Sequence, residues 1–246
     1  MATPTLTYPP LDRLKPVAAN VWIVDSGPLK SAGVSLPVRM TVLKLRTGEL
    51  LLHSPTPFSP ELLDALEELG PVGHLLAPSF GHWKFVAEWQ GAVPAATAWA
   101  VPGLAERRQV RASPLRIDRR LAAGDHHPWG EEIELHLMPG AAGVCEAALF
   151  HRPSRTLVLT DLIVNLESAK LPALERMGAR LAGSLAPHGM APPHLRMAVR
   201  WKRKEAEAVA RQLVALAPER VIFAHGRWFE QDGAARLRHS LRWLLG

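Results

Sequence analysis

Four side chains able to ligate a metal or move a proton stand at turns or just after apolar runs: His82, Glu146, Asp161 and His225. Two imidazoles and two carboxylates form a donor set suited to zinc, iron or manganese. They lie far apart in the chain, so only a scaffold whose loops converge from distant strand ends can gather them. The most informative stretch is Arg155 to Asn165, RTLVLTDLIVN. Thr156 to Thr160 is rich in β-branched residues and Leu, the pattern of a short buried strand. Asp161 follows it, at the strand end where parallel α/β sheets place their chemistry. A carboxylate between two apolar runs requires a cation or hydrogen-bond donors, and a metal or a local turn or helix cap would each supply them. Arg220 to Ala224 is a second buried strand, closing on His225-Gly226.

Other candidates carry less. His53 ends a strand and reads as a backbone-bonding neighbour of the site rather than a ligand. Glu146, beside Cys145, sits at a hairpin edge where it could also face solvent. Asp125-His126-His127 lies in a Gly/Pro loop and is expected to be exposed. Cys145 has no neighbouring base and reads as a small buried hydrophobe.

The elements that position these residues follow from periodicity and turn chemistry. Strands are expected at Val21–Val24, Met40–Leu45, Glu49–His53, Leu75–Ala77 and Ala95–Ala100, with Arg46-Thr47-Gly48 joining the second and third as a hairpin. Ser59 reads as an N-cap with Pro60 at the first helical position. A helix Glu61–Leu69 then places Leu62, Leu66 and Leu69 on one face and stops at Gly70-Pro71. Trp83–Gln90 reads as helical. Glu131–Met138 alternates like an antiparallel strand, and Ala147–Phe150 and Thr156–Thr160 flank a turn. Residues 167–195 contain Pro172, Pro187, Pro192 and Pro193, so helices there must be short. Val199–Leu216 reads as one long amphipathic helix, with Trp201 on the core, and Asp232 as the cap of a last helix reaching Leu245. Residues 1–20 read as a Pro-rich extended arm and 21–246 as one domain.

Composition sets broader bounds. With 246 residues, 48% of them hydrophobic, the chain can bury a large core. No apolar run approaches the roughly 20 residues of a membrane span, and the N-terminus lacks a basic start followed by an apolar block. One cysteine allows no internal disulfide and suits a reducing cytoplasm. The net charge is +6, and residues 196–246 carry all of it, with eleven Lys or Arg against five acids. Such an excess could meet nucleic acid or an anionic substrate, although a solvated helix face is the commoner explanation.

The order of these pieces resembles the metallo-β-lactamase fold superfamily over Val21 to Gly246. Asp161 matches that family's bridging Asp, His225-Gly226 its last His-Gly turn and Pro139-Gly140 its middle turn. The middle turn carries Ala141 where the family has His, and the first cluster, Pro78-Ser79-Phe80-Gly81-His82-Trp83, retains at most one of four ligands. The sequence is most similar to the domain-of-unknown-function 4336 group. That similarity rests on His53-Ser54-Pro55, Ala77 to His82, Pro128-Trp129, Glu146, RTLVLTDLIVN and Ala224-His225-Gly226.

The resemblance implies an α/β protein, an αββα sandwich of the metallo-β-lactamase type. It implies a metal-dependent hydrolase with a degenerate ligand set, in which His82, Asp161, His225 and Glu146 hold one divalent ion (zinc, iron or manganese) or none. Asp161 and His225 are then the catalytic residues. The substrate is a small molecule with an ester, thioester, lactone, amide or phosphodiester bond; neither nucleic acid nor a membrane is expected as a partner. The alternative is a metal-free binding or scaffold protein that keeps the fold and contacts anionic partners through its basic C-terminal helices.

Overall fold

A computed structural model describes residues 6–31 and 34–246. Seven strands form the first sheet in chain order: β1 Leu14–Ala18, β2 Val21–Ser31, β3 Val34–Lys44, β4 Leu50–His53, β5 Val72–Ala77, β6 Thr97–Ala100 and β7 Arg119–Arg120. β1 to β4 pair antiparallel and β4 to β7 parallel. The switch follows from the connections: Thr47-Gly48 allows a tight hairpin, whereas helices α1 (Pro60–Glu67) and α2 (Val86–Ala92) supply the crossovers that parallel strands need. Ser59 caps α1 by accepting from the Leu62 N–H, with Pro60 in the first turn. A single turn, α3 (Arg108–Arg111), precedes β7.

The second sheet contains β8 (Ile133–Pro139), β9 (Cys145–His151), β10 (Thr156–Val158) and, parallel to β10, β12 (Arg220–Ile222). A two-stranded parallel pair, β11 (Val164–Asn165) with β13 (His225–Gly226), lies beyond it. Helices α4 (Ala173–Ala182), α5 (Pro193–Arg200), α6 (Arg203–Ala215), α7 (Gly233–Ser240) and α8 (Arg242–Leu245) complete the chain.

Alternation along the second sheet assigns its residues to two cores. Ala147, Leu149, Val158 and Ile222 join the core shared with the first sheet, while Ala148, Phe150, Leu157, Val221 and Phe223 face the helices. That second core is closed by Val199 of α5, Leu213 of α6 and Leu237 of α7, among others. β9 is buried along its whole length, as a strand covered on both faces must be. The layering is αββα, as expected from the sequence.

Four expectations are corrected. Of the stretch read as an arm, Leu14–Ala18 is strand β1, hydrogen-bonded antiparallel to β2; Pro16 is tolerated because β1 is the edge of the sheet. Residues 1–5 of that arm lie outside the described residues. The single helix Val199–Leu216 is two, α5 and α6, broken at Trp201-Lys202. Trp201 is 80% exposed rather than packed on the core. Asp232 precedes α7 with a left-handed backbone (φ 55°) and makes no side-chain cap, and the segment to Leu245 is interrupted at Leu241.

Candidate metal centre

Each cluster residue is placed by a different strand end. His82 lies in the loop after β5. Pro78 accepts from the Ala147 N–H at 2.8 Å, and Ser79 bridges to Glu146, so this loop is bound to the start of β9. Asp161 follows β10, whose parallel pairing continues one step as the Leu159 N–H donates to Ile222. His225 follows β12 and lies in the β11–β13 pair.

At the centre, Asp161 Oδ2 lies 3.3 Å from His82 Nε2, and Asp161 Oδ1 lies 3.3 Å from His225 Nε2. One donor atom from each of the three residues falls within 4.8 Å of the others. The second nitrogen of each imidazole has its own partner: His225 Nδ1 donates to the Pro37 carbonyl at 2.7 Å, and His82 Nδ1 meets Ser54 Oγ at 2.7 Å. These contacts fix both rings with Nε2 turned toward Asp161. Ser54 holds this position with a left-handed backbone (φ 55°), the kind of local strain that persists where surrounding structure imposes it. Gly81 lies beside the carboxylate, where a Cβ would stand 3.5 Å from Asp161 Oδ2, an ordinary contact distance.

The His225 turn is held tightly. Gly226 has φ +94°, and a Cβ on it would lie 2.2 Å from the Asn165 carbonyl oxygen, so glycine is required. Asn165 donates through Nδ2 to Arg227 O and accepts from the Gly189 N–H. Arg39 reaches across from β3, its Nη1 donating to the carbonyls of Phe223 and Gly226 while Nη2 pairs with Asp25 at 2.6 Å.

The electrostatics follow from this packing. Burial alone would raise the Asp161 pKa, but the charge of His82 and the His225 hydrogen bond outweigh it and hold the carboxyl well below the usual range. Burial would lower His225, but its hydrogen bond to Asp161, that residue's charge and the Pro37 carbonyl together raise it. His53 is buried behind the site and kept neutral, lowered to about 3 chiefly by burial and then by the charge of His82.

Glu146 requires a correction. It neither faces solvent nor joins the cluster. It is 2% exposed, and its oxygens accept the backbone N–H groups of Thr160, Asp161 and Leu162. It shapes the turn that presents Asp161. Burial and the Asp161 charge push its pKa upward, against those three donors. In the loop expected to be exposed, Asp125 and His126 are, but His127 stacks on Trp129 with ring centroids 5.4 Å apart. Cys145 is buried, its thiol pushed up to about 12 by burial and then by Glu146, which suits an inert packing residue.

Sequence reasoning missed the supports Ser54, Pro37, Arg39 and Asn165. Arg39 carried a usable signal, a lone cation inside the strand pattern of Val38 to Val42. Ser54 lies in the His53-Ser54-Pro55 motif, which gives no sign of its contact with His82.

The donor set fits a divalent ion: two imidazole nitrogens and a carboxylate oxygen, each imidazole oriented by a hydrogen bond on its far nitrogen, as ligating histidines usually are. Three protein donors also leave room for water or substrate. Among the described residues no other group of three such donors comes together.

Comparison with known proteins agrees with the fold. A metallo-β-lactamase from Pontibacter korlensis superposes with a TM-score of 0.62 at 14% identity, covering 94% of this chain and 98% of that one. DIM-1 metallo-β-lactamase gives 0.63 at 12%, covering 94% and 95%. A metallo-β-lactamase from Hirschia baltica gives 0.62 at 11%, covering 94% and 97%. No curated protein matches the sequence. The family described as "Domain of unknown function (DUF4336)" matches residues 19–185, a span that includes His82, Glu146 and Asp161 and stops before His225. With two thirds of its length matched by the family and 94% of it superposing on these structures, the chain belongs to the DUF4336 family and has the metallo-β-lactamase fold.

Proposed function

We propose that the protein is a metal-dependent hydrolase that uses one divalent ion held by His82, Asp161 and His225. The observation that carries this reading is the pair of imidazoles whose Nε2 atoms flank one carboxylate at 3.3 Å, each ring oriented from behind by Ser54 or Pro37. A divalent ion there would act as a Lewis acid and bring the pKa of a water to near neutrality. The residues do the rest. Asp161, whose side chain is 25% exposed, is the cluster's opening to solvent and is kept ionised, the form in which a carboxylate ligates a metal. His225, anchored through Nδ1, keeps Nε2 at the reaction centre. Glu146 and Arg39 keep the two supporting turns in place. Zinc, iron and manganese all suit these donors.

The test is a panel of ester, thioester, lactone, amide and phosphodiester substrates, assayed after chelation and after return of zinc, iron or manganese. Activity that appears only with metal and is lost in Asp161→Asn supports the proposal. A panel with no turnover at any metal counts against it.

A second reading has its own support: every cluster donor already has a partner within the protein, as a metal-free scaffold would need. In that case Asp161 is a partly buried counter-ion joining three strand ends, and the protein binds rather than catalyses.

A further inference from the structure

We propose that α4 and α5 form a peripheral docking surface for an anionic membrane. None of the ten residues of α4 is buried. Its large apolar side chains fall in one stripe, Leu174, Met177 and Leu181, exposed by 76%, 57% and 82%. α5 turns Leu195 and Val199 to the core and leaves Met197 and Trp201 outward, 64% and 80% exposed. Arg196 ties the two helices together by donating to the Ala182 carbonyl at the end of α4. A ten-residue helix that packs Ala179 alone of its apolar residues against a small core cluster is marginal in water, so this stripe lacks the cover that normally stabilises such a helix.

Charge selects the occupant. Residues 171–204 hold seven Lys or Arg and the single acid Glu175. Among the described residues Arg176, Arg180 and Arg200 pair with no carboxylate. A second copy of the chain would bring this same positive rim against itself, which disfavours self-association. The protruding Leu, Met and Trp side chains suit a fluid interface that needs no shape complement, and Trp favours the headgroup level. Apolar residues on one face and Arg or Lys beside them are the pattern of helices that lie in the plane of a membrane surface. No described helix is long and apolar enough to cross a membrane, so the contact is with its surface. The sequence alone gave no expectation of a membrane, because that reading looked only for spanning runs.

The test is co-sedimentation of the full chain with phosphatidylcholine vesicles, with and without phosphatidylserine, at low and high salt. Binding is expected only with phosphatidylserine, and weaker in salt. A basic residue at an anionic surface is worth about fivefold in partition, so Arg180→Gln with Arg200→Gln should weaken binding about 25-fold. Leu181→Ser with Trp201→Ser should also reduce it while leaving the urea unfolding midpoint unchanged, since both residues are exposed. The proposal is overturned if anionic vesicles bind nothing at low salt, or if binding survives both double variants. It is equally overturned if Leu181→Ser with Trp201→Ser instead converts an oligomer to monomer.

Discussion

Replacing Glu146 gives a direct test of how Asp161 is positioned. In the wild type the buried carboxylate accepts from three backbone N–H groups, with contacts of 2.7 Å to Thr160, 2.9 Å to Asp161 and 3.1 Å to Leu162. Glu146→Leu fills similar space but leaves all three donors buried without partners. Each costs about 1–3 kcal/mol. Part of this is offset because a desolvated carboxylate is removed with its acceptor role, so the low end applies, roughly 3 kcal/mol in total. For a chain of this size that lowers Tm by about 6–12 °C. Glu146→Gln keeps one oxygen but turns an amide N–H₂ toward a donor, and should cost about 1–2 kcal/mol. The assay is urea unfolding of chelator-treated protein, read as a shift in midpoint at constant m. The two accounts of Glu146 separate here. A positioning residue destabilises the metal-free protein when lost, whereas a simple ligand leaves it unchanged and lowers metal affinity alone. Wild-type stability in metal-free Glu146→Leu would refute the reasoning.

Gly226→Ala forces a Cβ to within 2.2 Å of the Asn165 carbonyl at positive φ, so the His225 turn must move; a loss of about 3 kcal/mol or more is expected in denaturant melts, along with lost metal binding. Ser54→Ala removes the partner of His82 Nδ1, and metal affinity measured by competition with a chelating dye should fall about 10- to 100-fold with little change in metal-free stability. His74 and His151 are both buried and held neutral, their pKa values lowered chiefly by burial. Below the ordinary His value of about 6.5 the unfolded chain therefore binds more protons than the native one, and stability should fall as pH drops through that value, with a shallower slope in His74→Phe.

Much of the fold was legible because its signals are local. Period-2 patterns and turn residues located the β2–β4 meander, and Ser59-Pro60 located the start of α1 to the residue. Asp161 was legible for the same reason, as a carboxylate ending an apolar strand. What escaped depends on partners distant in sequence. The role of Glu146 as a backbone acceptor, neither ligand nor solvent-facing, escaped because its three donors lie fourteen or more residues away, across the β9–β10 hairpin. β11 and β13 are two residues each and exist only because Val164 meets His225 and Asn165 meets Gly226. The break at Trp201-Lys202 has no Pro or Gly to mark it, and the apolar pattern runs straight through it. The exposure of Trp201 then follows from the break rather than from its residue type. The convergence of His82 on Asp161 also depends on the backbone link from Pro78 to Ala147, which no local pattern encodes.

Metal stoichiometry tests the central claim most directly. Protein stripped by chelation, dialysed and returned to zinc or manganese should be measured for bound ion per chain, beside Asp161→Asn and His225→Ala. With three donors gathered at one point, the wild type should take up one ion and gain thermal stability from it, because an ion that binds only the folded chain stabilises it. Both variants should bind little and gain nothing. Two ions per wild-type chain, none at all, or one ion retained in both variants would contradict the account.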